Sequence, residues 1–516
     1  MATFTPGGRP RFRHQRRGLR DIIRNRGIHA LLWDPGVGKT ATVLDYASLL
    51  AMKSETGAAR VLVIAPLAAI DTWVEQAEEY VAAGINVRAE ALGGSIRQRS
   101  EVLSARGRGD FAVGARRAVA SLHRPSTGPL LNIVSVNLDS FKSRAAATKG
   151  GSRTMADVMV AAVKKFDPDL IVVDESHRIK GATSNTSRAI ARLTPLCRRR
   201  ILLTGTVMPH SPLDVFGQWR FLDPEAFGTL QANGSTRPAT FSTFRGTYAV
   251  MGGWMGKEIK GFTNLDRMQD IMARNSSVAR KTDVLDLPPV TDTEVTVDLS
   301  PREAKAYAEM KKALAVSLES GALSTAPNRL AQMMRLRQIT SGYLPDDSGA
   351  MNLIGDSKAR VISSLVHDTL AGESRVVVFS HFRPEVAALE LALARKGTEV
   401  VTITGDTPAR DRAAIRHRFG SEDPARIVLI AQTKTMSLAV NELITASHAV
   451  FGSLPNQRDD IEQARARLDR QGQTKPVTIW TCIAPDTVDE VILQSYRDRT
   501  SLEDAMLAHV SGQAST

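Results

Sequence analysis

The sequence predicts an α/β protein: two parallel-sheet lobes with a mostly helical insertion between them. Short β-branched runs alternate with longer helical patterns, as in parallel strands joined by helical crossovers. In the first half these runs are 61–65, 132–136, 170–173 and 201–204; in the second they are 376–379, 400–404, 427–431, 449–452 and 477–482. Between the two sets the texture changes to helical patterns, such as 241–248 and 300–320, with more methionine and glycine. Leu287-Pro288-Pro289 reads there as an extended connector, because a residue before proline is pushed out of helix. The expected domains are residues 1–222 (first lobe, with a basic N-terminal segment), 223–355 (insertion and connector), 356–495 (second lobe) and 496–516 (C-terminal tail).

A chain of 516 residues with 43% hydrophobic composition can bury two or three cores and is not globally disordered. Its formal net charge of +13 suits a polyanionic partner. Arginines crowd the N-terminal segment at Arg9, Arg11, Arg13, Arg16, Arg17, Arg20, Arg24 and Arg26. A second cluster includes Arg97, Arg99, Arg106, Arg108 and Arg124, and a third Lys142, Arg144, Lys149 and Arg153. Three such blocks in one half of the chain favour a phosphate-backbone track over solvated tails. The two cysteines, Cys197 and Cys482, are too few for a disulfide framework or a zinc site. The N-terminus has no apolar signal core and no run reaches membrane-spanning length. The expectation is a cytoplasmic chain, prokaryotic or viral, with no membrane partner.

The loop 33–40, Trp-Asp-Pro-Gly-Val-Gly-Lys-Thr, follows the apolar Ala30-Leu31-Leu32 and precedes a helical 41–50. In that strand–loop–helix context, backbone N–H groups of Gly36, Val37 and Gly38 can face phosphates, and the helix N-terminus adds its dipole. Lys39 would reach the β/γ-phosphates and Thr40 a magnesium ion. Trp33 stands where the strict pattern has glycine. Downstream, Asp174-Glu175-Ser176-His177 follows the apolar run Leu170–Val173, so the acids emerge at the sheet's C-terminal edge. Asp174 is the expected magnesium ligand and Glu175 the residue that orients the attacking water. Leu203-Thr204-Gly205-Thr206 ends the next strand and can respond to loss of the γ-phosphate. Far downstream, Arg467 and Arg470 lie three apart, a spacing that puts both on one helix face as arginine fingers for the nucleotide.

Together these blocks resemble helicase superfamily two, in particular its SWI/SNF-like branch of double-stranded DNA translocases, in a compact prokaryotic or phage-type form. The resemblance covers nearly all of residues 10–490. Phe12-Arg13-His14-Gln15 resembles that family's adenine-reading motif, with Gln15 the candidate base contact. Residues 61–66 followed by Trp73 resemble a block that contacts nucleic acid, and Ser135 and Asn137 fall in another. Arg280-Lys281, Val284, Leu287-Pro288-Pro289 and Tyr307 resemble the branch's interlobe connector; Leu336-Arg337-Gln338 the block after it; Gly405 with Arg412 a later one; and 463–473 its arginine helix. The stretch 435–442 departs from the family pattern in having no glycine.

The resemblance implies two RecA-like lobes that hydrolyse ATP with Mg2+ between them, moving along or remodelling duplex DNA. Two other readings stay open: a nucleotide-switched DNA clamp with poor turnover, and an RNA-directed helicase.

Overall fold

The computed structural model describes residues 11–67, 69–107, 115–120, 128–142, 154–209, 211–253, 258–319, 326–346, 348–435, 441–455, 458–498 and 506. The chain divides into two compact units, Met1–Leu285 and Asp286–Thr516.

In the first unit the strands are β1 Ile28–Trp33, β2 Ala58–Ala65, β3 Asn86–Leu92, β4 Ala115–Ala120, β5 Leu130–Asn137, β6 Leu170–Asp174, β7 Arg200–Leu203, β8 Thr229–Leu230, β9 Thr236–Arg237, β10 Ala249–Gly252, β11 Glu258–Phe262 and β12 Ser276–Ala279. Its helices are α1 Arg13–Arg24, α2 Lys39–Lys53, α3 Ile70–Tyr80, α4 Ile96–Arg106, α5 Met155–Phe166, α6 Asn185–Ala191, α7 Val215–Leu222, α8 Phe241–Tyr248, α9 Leu265–Arg274 and α10 Lys281–Val284. One sheet runs β12-β1-β7-β6-β2-β5-β3-β4. All its pairings are parallel except that of the edge strand β4 with β3. Parallel strands covered on both faces need near-continuous apolar sequence, and Leu170–Val173 of β6 is buried throughout.

Alternate residues feed two cores. Leu31 and Trp33 of β1 point into one with Val43 and Leu44 of α2 and Trp73 and Val74 of α3. Ala30 points into the other, with Met159 and Val163 of α5 and Trp219 of α7. The departure at position 33 has its explanation here. Trp33 is 1% exposed and is the last residue of β1, a core side chain rather than part of the loop. Its indole donates to Ser277 Oγ at 3.1 Å and lies under Gly18 of α1, where a Cβ would come within 2.4 Å of the ring. Burying a large apolar side chain of this kind contributes about 2 kcal/mol.

The second unit has β13 Val290–Thr296, β14 Tyr343–Pro345, β15 Met351–Leu353, β16 Arg375–Ser380, β17 Thr398–Ile403, β18 Arg426–Gln432, β19 His448–Phe451 and β20 Val477–Ile483. Its helices are α11 Pro301–Glu319, α12 Ala326–Thr340, α13 Ser357–Ser364, α14 Arg383–Leu393, α15 Ala409–Phe419, α16 Arg458–Leu468 and α17 Val488–Asp498. The six-stranded sheet, β13-β20-β19-β16-β18-β17, is parallel throughout. Both units are thus parallel sheets wrapped by helices, the α/β architecture expected. Residues 223–355 contribute to both units, through short hairpins as well as helices. Among the described residues no helix is long and apolar enough to cross a membrane.

Close approach of α7 holds the segment after β6. At Gly217 an added Cβ would stand 2.2 Å from the Ile179 carbonyl oxygen and 2.6 Å from that of Lys180. Both neighbours are backbone, so the clash cannot be relieved by a rotamer change. Gly217→Ala should lower stability by about 1–3 kcal/mol, the usual cost of overpacking, as measured by chemical denaturation.

Candidate functional site

Three strand ends define the site. β7 lies between β1 and β6, and Leu203 pairs in register with Leu31 on one side and Asp174 on the other. The loop leaving β1 and the acids ending β6 therefore share one edge of the sheet, two strand spacings, or roughly 10 Å, apart.

The loop geometry follows from its glycines. Gly36 and Gly38 have φ of 86° and 87°, values open to glycine without steric cost. Gly38 also caps α2, and a Cβ there would sit 1.9 Å from Gln15 Nε2. Gln15 is buried beneath the loop: its Nε2 donates to the Val37 carbonyl at 3.3 Å and its Oε1 accepts from Phe12 N–H at 3.1 Å. His14 Nε2 lies 2.8 Å from the same Val37 carbonyl. Both ends of the Gln15 amide thus engage backbone, bracing the loop from below.

Lys39 Nζ donates to the carbonyls of Trp33 at 2.8 Å and Asp34 at 3.2 Å. Burial pushes its pKa below the ordinary lysine value, while Glu175, Asp174 and Asp34 act against that. The loop lysine and the acid pair therefore share one electrostatic environment. Asp34 has a second task. Its Oδ2 accepts from the backbone N–H of Lys281 at 2.8 Å, tying the start of α10 to the loop.

Asp174 accepts from Trp73 Nε1 at 2.9 Å on Oδ2 and from the N–H of Glu175 at 2.9 Å on Oδ1. Burial and the neighbouring Glu175 charge raise its pKa to about 6. For Glu175 burial works in the same upward direction, but hydrogen bonding to His177 and the charges of His177, Lys39 and Arg178 outweigh it and hold the pKa at about 2. Glu175 adopts φ 50°, ψ 53°, a left-handed conformation that costs a non-glycine residue about 1–2 kcal/mol. Such strain is stored where side-chain direction matters.

From Glu175 a polar chain runs to the end of β7. His177 Nδ1 lies 3.3 Å from Glu175 Oε2 and 3.1 Å from Thr204 Oγ1. Thr204 Oγ1 accepts in turn from Thr206 N–H at 3.1 Å. Ser176 Oγ donates to Gln218 Oε1 at 2.8 Å, and Gln218 Nε2 donates to the Val207 carbonyl at 2.7 Å. The acid segment and the loop after β7 are thus coupled twice, through His177 and through Gln218.

The donor set fits magnesium carried by a nucleotide. Mg2+ keeps several waters and takes one or two protein oxygens plus substrate phosphates; Asp174 and Thr40, the second residue of α2, can supply these. Among the described residues no cluster of three or more His, Cys, Asp or Glu side chains forms an all-protein metal cage.

Other expectations fare differently. Ser135, expected at nucleic acid, is fully buried, and its hydroxyl donates to the Ile70 carbonyl at 2.8 Å. Trp73 is 2% exposed and faces Asp174 rather than solvent. Arg106 of the second basic cluster is buried against Glu90. Arg9, Arg108, Arg124, Arg144, Lys149 and Arg153, and 436–440 of the glycine-free stretch, lie outside the described residues.

In the second unit Arg467 sits in the last turn of α16, but Arg470 does not share its helix face. α16 ends at Leu468, because Gln473 Nε2 captures the carbonyls of Leu468, Ile444 and Ala446 and Gly472 turns at φ 98°. Neighbouring Arg465 is committed to Asp292 of β13. The entry to α16 is held by Arg337, whose buried guanidinium donates to the Leu454 carbonyl. The expected pair Gly405 and Arg412 meet, Arg412 Nη2 donating to the Gly405 carbonyl at 2.9 Å. The sequence reading missed Gln218, the role of Asp34 and the bond from Trp73; only the run of apolar residues into Trp33 signalled that position 33 belongs to the strand. Gln218→Leu strands the Ser176 hydroxyl in the core and should cost about 1–3 kcal/mol, read as a lower denaturation midpoint.

Two family models match the chain, the first running past the boundary between the two compact units. The SNF2-related domain matches residues 14–342, and the helicase conserved C-terminal domain matches residues 357–472. The DNA annealing helicase and endonuclease ZRANB3 of Bos taurus is 26% identical over 345 residues, covering 66% of this chain and 30% of that protein. The SWI/SNF-related matrix-associated actin-dependent regulator of chromatin subfamily A-like protein 1 of Drosophila melanogaster is 24% identical over 330 residues, covering 64% of this chain and 40% of that protein. The chain therefore spans well under half the length of these curated relatives. A solved structure of the Sulfolobus solfataricus SWI2/SNF2 ATPase core in complex with duplex DNA aligns over 99% of this chain and 95% of that one, with 19% identity and a TM-score of 0.40. The chain belongs to the SNF2-related domain family and carries that family's helicase C-terminal domain.

Proposed function

We propose that this chain is a DNA-dependent ATP hydrolase, a translocase that moves along or remodels duplex DNA. One observation carries the reading: the glycine loop with Lys39 and the acid pair Asp174-Glu175 sit at one edge of one parallel sheet in a shared electrostatic environment. Backbone N–H groups of 36–40 and the ammonium of Lys39 would hold the phosphates, with Gln15 beside the base. Thr40 and Asp174 would hold magnesium, which supplies charge neutralisation to the triphosphate. Glu175, ionised at neutral pH and aimed by its left-handed backbone, would orient the attacking water toward the γ-phosphate. Arg467 and Arg470 are the proposed arginine fingers, by their match to the family's arginine block. Duplex DNA as partner is supported by the family and by the relatives' names, which include a DNA annealing helicase; grip through phosphates would be insensitive to sequence and steeply weakened by salt.

The test is the steady-state ATPase rate at low salt with duplex DNA, single-stranded DNA or RNA. Stimulation by duplex DNA is expected. Equal or greater stimulation by RNA would move the track to RNA, and binding without turnover would make the chain a clamp. Lys39→Ala and Glu175→Gln should lower turnover by at least about a hundredfold, the scale of losing a group that acts in the transition state. Arg470→Ala should keep nucleotide affinity within a few-fold while slowing turnover; wild-type rates in all three would show that the nucleotide site lies elsewhere.

A further inference from the structure

Trp73 stands in a block expected to touch nucleic acid, yet its indole is 2% exposed and its one N–H is spent on Asp174 Oδ2 at 2.9 Å. Asp174 has two oxygens. Oδ1 is held by the peptide N–H that follows it, a contact any residue at that position would make. Of these two bonds, only the one from Trp73 comes from a different element. That element is α3. Its first turn is fixed to β5 by Ser135 Oγ donating to the Ile70 carbonyl at 2.8 Å, and the backbone N–H of Trp73 closes that turn on the Ala69 carbonyl at 3.2 Å. The short approach from β2 presents Leu67, 48% exposed, to solvent. Trp73, Val74 and Ala77 pack in the core beside Val63 and Ala65 of β2, which holds the indole in place against the carboxylate.

We propose that Trp73 is a positioning residue for Asp174: through its indole N–H, helix α3 sets the orientation of the carboxylate that would hold magnesium. The inference rests on the nucleotide-site reading above. A buried tryptophan usually finds some acceptor for its N–H, so the experiment must separate orientation of Asp174 from simple satisfaction of the indole.

Two variants of the full chain do so. Trp73→Phe removes the donor and part of the ring; replacing Trp73 by its benzothienyl analogue exchanges N–H for sulfur and keeps the shape, which protects the test if the phenylalanine variant folds poorly. The readout is binding of a fluorescent, non-hydrolysable ATP analogue titrated with Mg2+ and no DNA, so it needs neither turnover nor a nucleic acid. Both variants should bind the analogue without Mg2+ within twofold of wild type, yet need about tenfold more Mg2+ for half-saturation, the scale of one lost hydrogen bond to a charged acceptor. A Mg2+ half-saturation within twofold of wild type in the benzothienyl variant would overturn the inference, as would an equal loss with and without Mg2+. Failure of DNA to stimulate wild-type turnover would sink the proposed function while this result stood. Absence of any Mg2+-dependent nucleotide binding in wild type would sink both.

Discussion

Parallel pairing of β1, β7 and β6 is the constraint on which the rest of the site depends. Because Leu203 is level with both Leu31 and Asp174, the glycine loop, which leaves β1 two residues beyond Leu31, and the acid pair leave the sheet at the same edge. A one-residue slip of β6 would turn every side chain of Leu170–Val173 to the opposite face, exchanging the two cores' partners. The apolar runs that fill these cores thus also hold the chemistry in register. Fold and site are specified by the same residues.

Around that constraint the polar groups form a connected set. Asp174 answers to Trp73 on α3, Glu175 to His177, His177 to Thr204 at the end of β7, and Ser176 to Gln218 on α7. The bonds from Trp73, Thr204 and Gln218 join the acid segment to three different elements, and the Glu175–His177 contact closes it internally, so its conformation is over-determined. That is the condition under which a left-handed glutamate can persist at a cost of about 1–2 kcal/mol. The low pKa of Glu175 beside a raised one on Asp174 follows from the same arrangement: His177 serves one carboxylate and not the other.

Much of this was legible in the sequence, and what was not has a common cause. Strand positions and the two half-sites could be read because apolar runs, Gly36, Gly38 and the acid pair act locally, through backbone freedom and through position at a strand end. Trp33 was misread as a loop residue because a motif template was laid over a strand that extends one residue further. Trp73 and Ser135 were expected at a nucleic-acid surface because the blocks that hold them resemble segments that contact nucleic acid in the family, while only packing decides which way a side chain turns. The end of α16 between Arg467 and Arg470 was invisible for a similar reason: no proline or helix-ending glycine stands between them, and the stop comes from Gln473 reaching back to three carbonyls. Gln218 gave no signal at all, since a buried glutamine joining two loops has no sequence pattern.

The central claim is that residues 36–40 and 174–177 form one nucleotide site. Hydrogen–deuterium exchange of the wild-type chain, with and without Mg2+ and a non-hydrolysable ATP analogue, tests it most directly. Simultaneous protection of amides in both segments at the same ligand concentration is the expected result. Protection of only one segment, or of neither while the nucleotide is bound, would contradict it.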